Sequence, residues 1–128
     1  MIYVDTSVAL AQLLAEDRYP ETGFWKQALV SSRLLEYELW TGLHRRGLGR
    51  SHGEAAQMLI QSLAIAELSR EVLRRAIEPF PVPVRTLDAL HLATLEFLGQ
   101  QGIEIRLATY DDRLARAAEA CEIELASC

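Results

Sequence analysis

The first 14 residues, Met1 to Leu14, read MIYVDTSVALAQLL and show how this chain is organised. Its apolar run Ile2–Val4 is typical of a short buried strand, and Asp5-Thr6-Ser7 follows it as a turn. From Val8 to Leu14 the apolar residues recur with helical rather than alternating spacing. A strand that passes directly into a helix is the repeating unit of proteins built on a parallel sheet.

The rest of the chain repeats this alternation of strands and helices. Further strands are predicted at residues 29–31, 64–68, 103–108 and 123–126. Helices are predicted at residues 20–29, 33–46, 54–63, 70–78, 86–98 and 112–120, and Gly47 and Gly49 are expected to end the helix of residues 33–46. We therefore predict a single α/β domain, residues 1–128, folded as a three-layer α/β/α sandwich with a central parallel sheet.

The bulk composition fits one folded domain in a reducing compartment. The 128 residues are 50% apolar and 24% charged, which suits a single core. No basic leader precedes the apolar N-terminus, and no uncharged stretch is long enough to span a bilayer. The two cysteines, Cys121 and Cys128, match no zinc motif, and we assign them no function. These features predict a cytoplasmic protein that does not enter a membrane.

The net charge of −5 argues against a nucleic-acid partner unless the acids are clustered. A carboxylate pocket filled by divalent cations presents a positive face to phosphate, because the bound ion is the largest local charge. Twelve of the 13 basic residues are arginine, whose planar guanidinium matches phosphate geometry. Binding of nucleic acid therefore remains a possible function if the acids lie together in the folded protein.

Two acids follow predicted strands. Asp5 closes the first strand, and Asp111 lies three residues beyond Ala108 at the end of a later one. Functional sites in parallel sheets lie beyond the carboxyl ends of the strands, so both side chains should face the same crevice. Either acid alone is more often a helix cap, since aspartate is a favoured N-cap residue.

Glu38 is predicted to point inward from the helix of residues 33–46. At about 100° per residue it lies between Leu34 and Leu35 on the helical wheel. Glu36 falls on nearly the opposite side and is an ordinary solvated acid. A charged carboxylate on an apolar face needs a cation or a hydrogen-bond donor. Pairing with arginine is the alternative to a metal ion at this position.

Asp88 is a fourth acid, in the first turn of a strongly apolar helix, on the same face as Leu92 and Leu95. The helix dipole alone could explain it. Four converging carboxylates would repel one another and take up protons, whereas one or two Mg²⁺ or Mn²⁺ ions would turn the repulsion into attraction. Hydroxyls that could orient waters or ligands, or simply cap helices, are those of Thr6, Ser7 and Thr109.

Together these segments resemble a PIN domain of the VapC toxin type, over essentially the whole chain. The matching segments are 4–7 VDTS, 32–39 SRLLEYEL, 87–93 LDALHLA and 109–114 TYDDRL. None is decisive alone, but their order and spacing are specific. The resemblance implies an α/β/α sandwich, Mg²⁺- or Mn²⁺-dependent endoribonuclease activity on RNA, a homodimer, and inhibition by a small cognate antitoxin protein.

The resemblance, carried over residue by residue, also assigns the metal-binding and catalytic acids. These are Asp5, Glu38, Asp88 and Asp111, with Thr6, Thr109 and Asp112 as supporting residues. The family match selects Glu38 rather than Glu36 independently of the helical wheel. The main departure is Cys121-Glu122, where family members often carry a glycine before the final strand, and this leaves the geometry of a terminal hairpin open.

His91 lies one turn from Asp88 and could act as a general acid. Packing or a bond to the backbone is the preferred interpretation, because bound metal ions already supply an activated water. His44 and His52 belong to no motif.

Other functional classes fit the sequence less well. A phosphoacceptor receiver domain needs a lysine late in the chain, but the only lysine is Lys26. A phosphatase with an aspartate nucleophile needs a second aspartate two residues after the first, where this chain has Ser7. The remaining alternative is a degenerate PIN module that binds RNA or protein without cleavage. All four acids are present, so catalysis is favoured.

The outer face of the helix that carries Glu38 predicts a protein partner. Arg33, Tyr37, Trp40 and His44 form one stripe there, and aromatic residues and arginine often anchor interfaces. We expect Tyr37 and Trp40 to form part of a groove for an antitoxin helix. The alternative is that the helix of residues 54–63 covers this stripe within the same chain.

Overall fold

A computed structural model describes all residues from 1 to 128 and contains four strands and six α-helices. The strands are β1 (Ile2–Val4), β2 (Leu29–Ser32), β3 (Ala64–Ala66) and β4 (Arg106–Ala108). The helices are α1 (Thr6–Leu14), α2 (Arg33–Arg45), α3 (Gly49–Gln61), α4 (Arg70–Ala76), α5 (Thr86–Gln100) and α6 (Asp112–Ala120). None of these helices combines the length and the apolar character that crossing a membrane requires.

The four strands form one parallel sheet in the order β3-β2-β1-β4. The chain builds outward from β1 through β2 to β3 and then returns to place β4 on the other side of β1. The carboxyl ends of β1 and β4 therefore meet where the strand order reverses, which is the usual position of a binding crevice in such a sheet. Asp5 follows β1 directly, and Asp111 follows β4 after two residues.

Two apolar cores cover the two faces of the sheet, because successive residues of a strand point to opposite sides. Ile2 and Val4 pack with residues of α1, α2 and α3 in one core. Tyr3, between them, packs with residues of α5 and α6 in the other core. Helices thus lie on both faces of a parallel sheet, and the predicted three-layer α/β/α sandwich is confirmed.

Some predicted elements are shorter than expected. The helix predicted at residues 20–29 is a single 3₁₀ turn, Thr22–Lys26, and Gly23 inside it disfavours a longer helix. The strand predicted at residues 103–108 begins only at Arg106, because β1 offers three residues for pairing and Ile2 is opposite Arg106. The strand predicted at residues 64–68 ends at Ala66 for the same reason, since its partner β2 ends at Ser32.

The helix predicted at residues 54–63 begins earlier, at Gly49. Gly49 is therefore the first residue of α3. The prediction that Gly49 helps to end α2 was wrong. The reversal between the two helices is made at Gly47, whose φ of 69° lies in the left-handed region that favours glycine. α2 and α3 consequently pack as neighbours on one face of the sheet.

The C-terminal tail differs from the predicted hairpin. Instead of a strand at residues 123–126, it forms one parallel bridge between Leu125 and Leu107 of β4. The chain leaves α6 through Glu122, whose φ is 61°, a conformation that costs a residue other than glycine roughly 1–2 kcal/mol. This strain falls at the position where the sequence departs from the glycine frequent in the family. Cys121 and Cys128 are both free and half-buried, and burial raises the pKa of each thiol.

Candidate active site

Asp5 is held in a fixed orientation at the carboxyl end of β1. It is 6% exposed and forms the N-cap of α1. Its Oδ2 accepts hydrogen bonds from the Ser7 hydroxyl at 2.6 Å, the Thr109 hydroxyl at 2.8 Å and the Ser7 backbone N–H at 3.3 Å. Its Oδ1 lies 3.8 Å from Nε2 of His91. One carboxylate oxygen thus anchors the side chain, and the other remains for the crevice.

Glu38 points from α2 toward the same crevice. Its Oε1 accepts a hydrogen bond from the Thr6 hydroxyl at 2.9 Å and lies 2.6 Å from Nε2 of His91. Glu36 instead forms a 2.7 Å salt bridge with Arg33 on the outer side of the helix. The helix faces predicted for the two glutamates therefore match the structure. The partner of Glu38 is a histidine, not the arginine considered as the alternative.

His91 and Tyr3 form a buried hydrogen-bonded chain that ends on Glu38. His91 is 1% exposed and Tyr3 is fully buried. Nδ1 of His91 lies 2.6 Å from the Tyr3 hydroxyl, and Nε2 meets Glu38. The sequence interpretation of His91 as a packing residue missed this contact with Glu38, and it gave Tyr3 no role beyond the strand. An inward tyrosine immediately before the acid-bearing turn is the sequence signal that was available.

In the hydrogen-bonded chain of Tyr3, His91 and Glu38, the electrostatics favour a charged histidine next to a neutral tyrosine. Burial lowers the pKa of His91, but its hydrogen bond to Glu38 and the charges of Asp5, Glu38 and Asp88 together raise the pKa above its ordinary value. Burial and the charge of Asp5 raise the pKa of Tyr3 far above its usual range. The contacts with Glu38 and Asp5 therefore favour the protonated form of His91.

Asp88 lies at the start of α5 near two other acids. Burial, followed by the charges of Asp111 and Asp5, raises the pKa of Asp88 above its ordinary value. None of the salt bridges in the structure includes Asp88. Asp88 therefore lies in the same region as Asp5 and Asp111, which follow β1 and β4 at the point where the strand order reverses.

Asp111 and the neighbouring hydroxyls connect β4 to this region. Asp111 is the N-cap of α6, and its Oδ1 accepts hydrogen bonds from backbone N–H groups of that helix, at 2.9 Å from Arg113. Thr109 donates to Asp5 and accepts from the backbone N–H of Asp111 at 3.0 Å. Ser7 accepts from the backbone N–H of Tyr110 at 2.9 Å, so it joins the two loops and does not cap α1. Asp112 is exposed in the first turn of α6.

The chemistry of this donor set suits Mg²⁺ or Mn²⁺, because hard divalent cations select carboxylate oxygen. The acids are gathered at one edge but not drawn together: no group of three or more histidine, cysteine, aspartate or glutamate side chains is arranged so that it could hold a metal ion. One oxygen of Glu38 meets Thr6 and His91, and one oxygen of Asp111 meets the backbone of α6. Asp88 takes part in none of the salt bridges, and the charges of His91 and Arg85 only partly offset the burial and the neighbouring acids that raise its pKa.

The outer stripe of α2 is partly covered by the chain itself. Trp40 is half-buried, and a Cβ placed on Gly53 of α3 would lie 3.2 Å from its ring. The Trp40 ring also stacks on His44 with centroids 5.7 Å apart. Tyr37 remains 67% exposed. Coverage of Trp40 by α3 agrees with the alternative considered for this stripe, and the free part of the surface is centred on Tyr37.

Known proteins match this sequence over nearly its whole length. The family model described as PIN domain matches residues 2–120. Ribonuclease VapC46 of Mycobacterium tuberculosis is 35% identical over 125 residues, which cover 92% of this chain and 90% of that protein. Ribonuclease VapC35 of the same species is 30% identical, over 96% of this chain and 93% of that protein.

A solved structure has the same fold. The crystal structure of Mycobacterium tuberculosis VapC20, described as a sarcin-ricin loop cleaving toxin, matches with a TM-score of 0.66 and 21% identity, over 91% of this chain and 95% of that one. At this identity the likeness concerns the fold. The family-model match and the identity to curated ribonucleases show that the chain belongs to the PIN domain family and, within it, to the VapC ribonucleases.

Proposed function

We propose that this chain is an Mg²⁺- or Mn²⁺-dependent endoribonuclease and the toxin of a type II toxin–antitoxin pair. The observation that carries the proposal is the position of Asp88, which lies with Asp5 and Asp111 at the reversal of the strand order and takes part in none of the salt bridges. Burial, Asp111 and Asp5 raise the pKa of Asp88 although the charges of His91 and Arg85 act to lower it. Such a carboxylate is costly unless a cation meets it. Membership of the VapC ribonucleases supports RNA as the substrate and the cytoplasm as the compartment.

In this proposal Asp5, Glu38, Asp88 and Asp111 hold the metal ions. Bound divalent ions supply an activated water and stabilise the oxygen that departs from the phosphodiester. The chain's own residues position the ligands. Thr109 and Ser7 fix one oxygen of Asp5, while Thr6 and His91 fix one oxygen of Glu38. Orientation of ligands by such hydrogen bonds is a general requirement of metal sites.

Cleavage of RNA is expected to require Mg²⁺ or Mn²⁺ and to leave 5′-phosphate ends. Bound divalent ions would supply an activated water as the nucleophile, and hydrolysis in which water becomes bonded to phosphorus and the bond from phosphorus to the 3′ oxygen breaks leaves the phosphate on the 5′ side. Purified protein would be incubated with total RNA with EDTA, with Mg²⁺ and with Mn²⁺, and the ends of the products would be identified. Cutting that resists EDTA and yields cyclic phosphate ends would mean attack by the RNA 2′-hydroxyl and would overturn the proposal.

The alternative function is a PIN module that binds RNA or protein without cleavage. The specific observation in its favour is that the acids do not form a ready metal-binding group in this arrangement. The same incubation separates the two functions. RNA that stays intact at every Mg²⁺ and Mn²⁺ concentration, although the protein binds it, would favour the binding module.

The proposed partners are a cognate antitoxin, which would bind the outer face of α2, and a second copy of the chain. Tyr37 is 67% exposed and Trp40 is half-buried under α3, so the two aromatics should respond differently. Tyr37→Ala is expected to weaken antitoxin binding with an unchanged melting temperature. Trp40→Ala should lower the free energy of unfolding by about 3 kcal/mol through lost packing.

The measurements are calorimetric titration with the antitoxin encoded beside the toxin, and thermal melting of each variant. RNA cleavage should survive in Tyr37→Ala, because Tyr37 lies on the face away from Glu38. Unchanged antitoxin affinity in Tyr37→Ala would show that the antitoxin does not bind the outer face of α2.

A further inference from the structure

A groove lined by arginines begins beside Asp88. It is a cavity of about 530 Å³ between the loop of residues 82–85 and helix α6. The side of the groove formed by the loop includes Arg85, and the side formed by α6 includes Arg113 and Arg116. Asp88 is the single acid among its eight lining residues. The groove thus links the acidic region to a basic surface.

The three arginines of this groove have no acidic partners. The chain has 18 acids and 13 basic residues, yet the side chains of Arg85, Arg113 and Arg116 take part in none of its salt bridges. All three residues are exposed. Arg113 and Arg116 are three residues apart on one helix face, an arrangement of like charges that destabilises a helix slightly. A bound anion would offset that repulsion.

We propose that this arginine groove binds the phosphodiester backbone of the RNA strand next to the bond that is cut. The inference rests on the proposed ribonuclease function and adds the path that the substrate follows away from the acids. Arginine guanidinium groups match phosphate in shape and charge. The other lining residues are Val82, Pro83, Val84 and Ala117, so no aromatic ring is present for base stacking. The charged groups of the groove are therefore suited to the phosphate backbone, and we expect binding there to depend little on base sequence.

The loop wall of the groove is suited to holding a charged strand. Pro83 fixes the backbone between Val82 and Val84, and both valines pack against the core formed with α5 and α6. A wall that is already ordered loses little entropy when the ligand binds. Arg85 is the N-cap residue of α5, three residues before Asp88, so the loop places it close to the acids.

The test measures RNA binding against salt concentration. A fluorescent single-stranded RNA of about 12 nucleotides would be titrated with the full chain in EDTA at several KCl concentrations. Each lost phosphate contact is expected to reduce the slope of log K against log salt by about 0.7. Arg113→Gln with Arg116→Gln should therefore reduce the slope by about 1.4, equally for RNAs of different sequence.

The matched control is Arg106→Gln with Arg50→Gln, which removes the same charge from exposed positions outside the groove. Arg106 begins β4 and so lies at the opposite edge of the sheet from the acids. Equal slopes of log K against log salt for the groove variant and the control variant would show that RNA does not bind in the groove. RNA binding elsewhere on the protein would still be possible. Absence of salt-dependent RNA binding in the unmodified chain would also overturn the assignment of RNA binding to the groove, whereas the proposed ribonuclease function is tested separately by the incubation with Mg²⁺ and Mn²⁺.

Discussion

Asp88→Asn is expected to abolish RNA cleavage and, at the same time, to raise the melting temperature of the metal-free protein. Asp88 has a raised pKa because of burial and the charges of Asp111 and Asp5, so the folded state is penalised by its negative charge at neutral pH. Asparagine removes that charge at nearly the same volume. The proposed metal ions lose a ligand, and the activity loss should exceed the roughly 100-fold that marks the upper range for residues supporting a ligand.

Asp5→Asn and Glu38→Gln are expected to abolish cleavage as well, while Glu36→Gln should be nearly silent. Glu36 is the matched control because it has the same side chain on the same helix but faces Arg33. Initial rates on a defined RNA and thermal melting in EDTA provide the two readouts. Equal loss of activity at Glu36 and Glu38 would show that the wrong face of α2 has been assigned to the site. Full activity in Asp88→Asn would remove Asp88 from it.

His91→Leu is expected to reduce both stability and activity. Leucine fills a similar volume but leaves the buried Tyr3 hydroxyl and the Glu38 carboxylate without their 2.6 Å partner. A buried polar group that loses its partner costs roughly 1–3 kcal/mol, so the free energy of unfolding should fall by about 3 kcal/mol. Because Glu38 is then less well oriented, cleavage should fall roughly 10- to 100-fold.

Two further variants test whether the hydrogen bonds among Tyr3, His91 and Glu38 cause the losses of stability and activity expected for His91→Leu. His91→Gln can still donate to Glu38 and should retain more activity than His91→Leu. Tyr3→Phe removes the hydroxyl at the other end of the chain, and combined with His91→Leu it should cost less than the sum of the two single variants, since the residues interact directly. Urea unfolding in EDTA gives the free energies. Additive costs, together with equal activity for the leucine and glutamine variants, would argue that His91 only fills space.

The local sequence was sufficient to predict the layers and the edge where the acids gather. Hydrophobic spacing distinguishes strands from helices, and an acid directly after a strand must lie at the carboxyl end of that strand. Helical periodicity also placed Glu38 and Glu36 on different faces of α2, because the position of a residue along a helix determines the side on which its side chain projects.

What the sequence did not reveal depends on contacts between distant residues. The bond between Tyr3 and His91 joins residues 88 positions apart, and no local spacing predicts it. The limits of β4 depend on the length of β1, which lies at the other end of the chain. Trp40 has an amphipathic position on α2, but only the approach of Gly53 from α3 decides that it is covered. The bond from His91 that holds Glu38 is likewise a contact between distant residues.

The central place of β1 in the sheet makes the completion of the Asp5 site a late step of synthesis. The strand that leads to Asp5 is made long before its neighbour β4, and Thr109 reaches back over 104 positions to hold Asp5. Closing so long a loop is slow and needs the late residues to be present. A prematurely terminated chain that lacks the segment from Thr109 onward has neither the Asp5 anchor nor Asp111. The order of strands thus makes the assembly of the proposed site wait for the residues that follow β4.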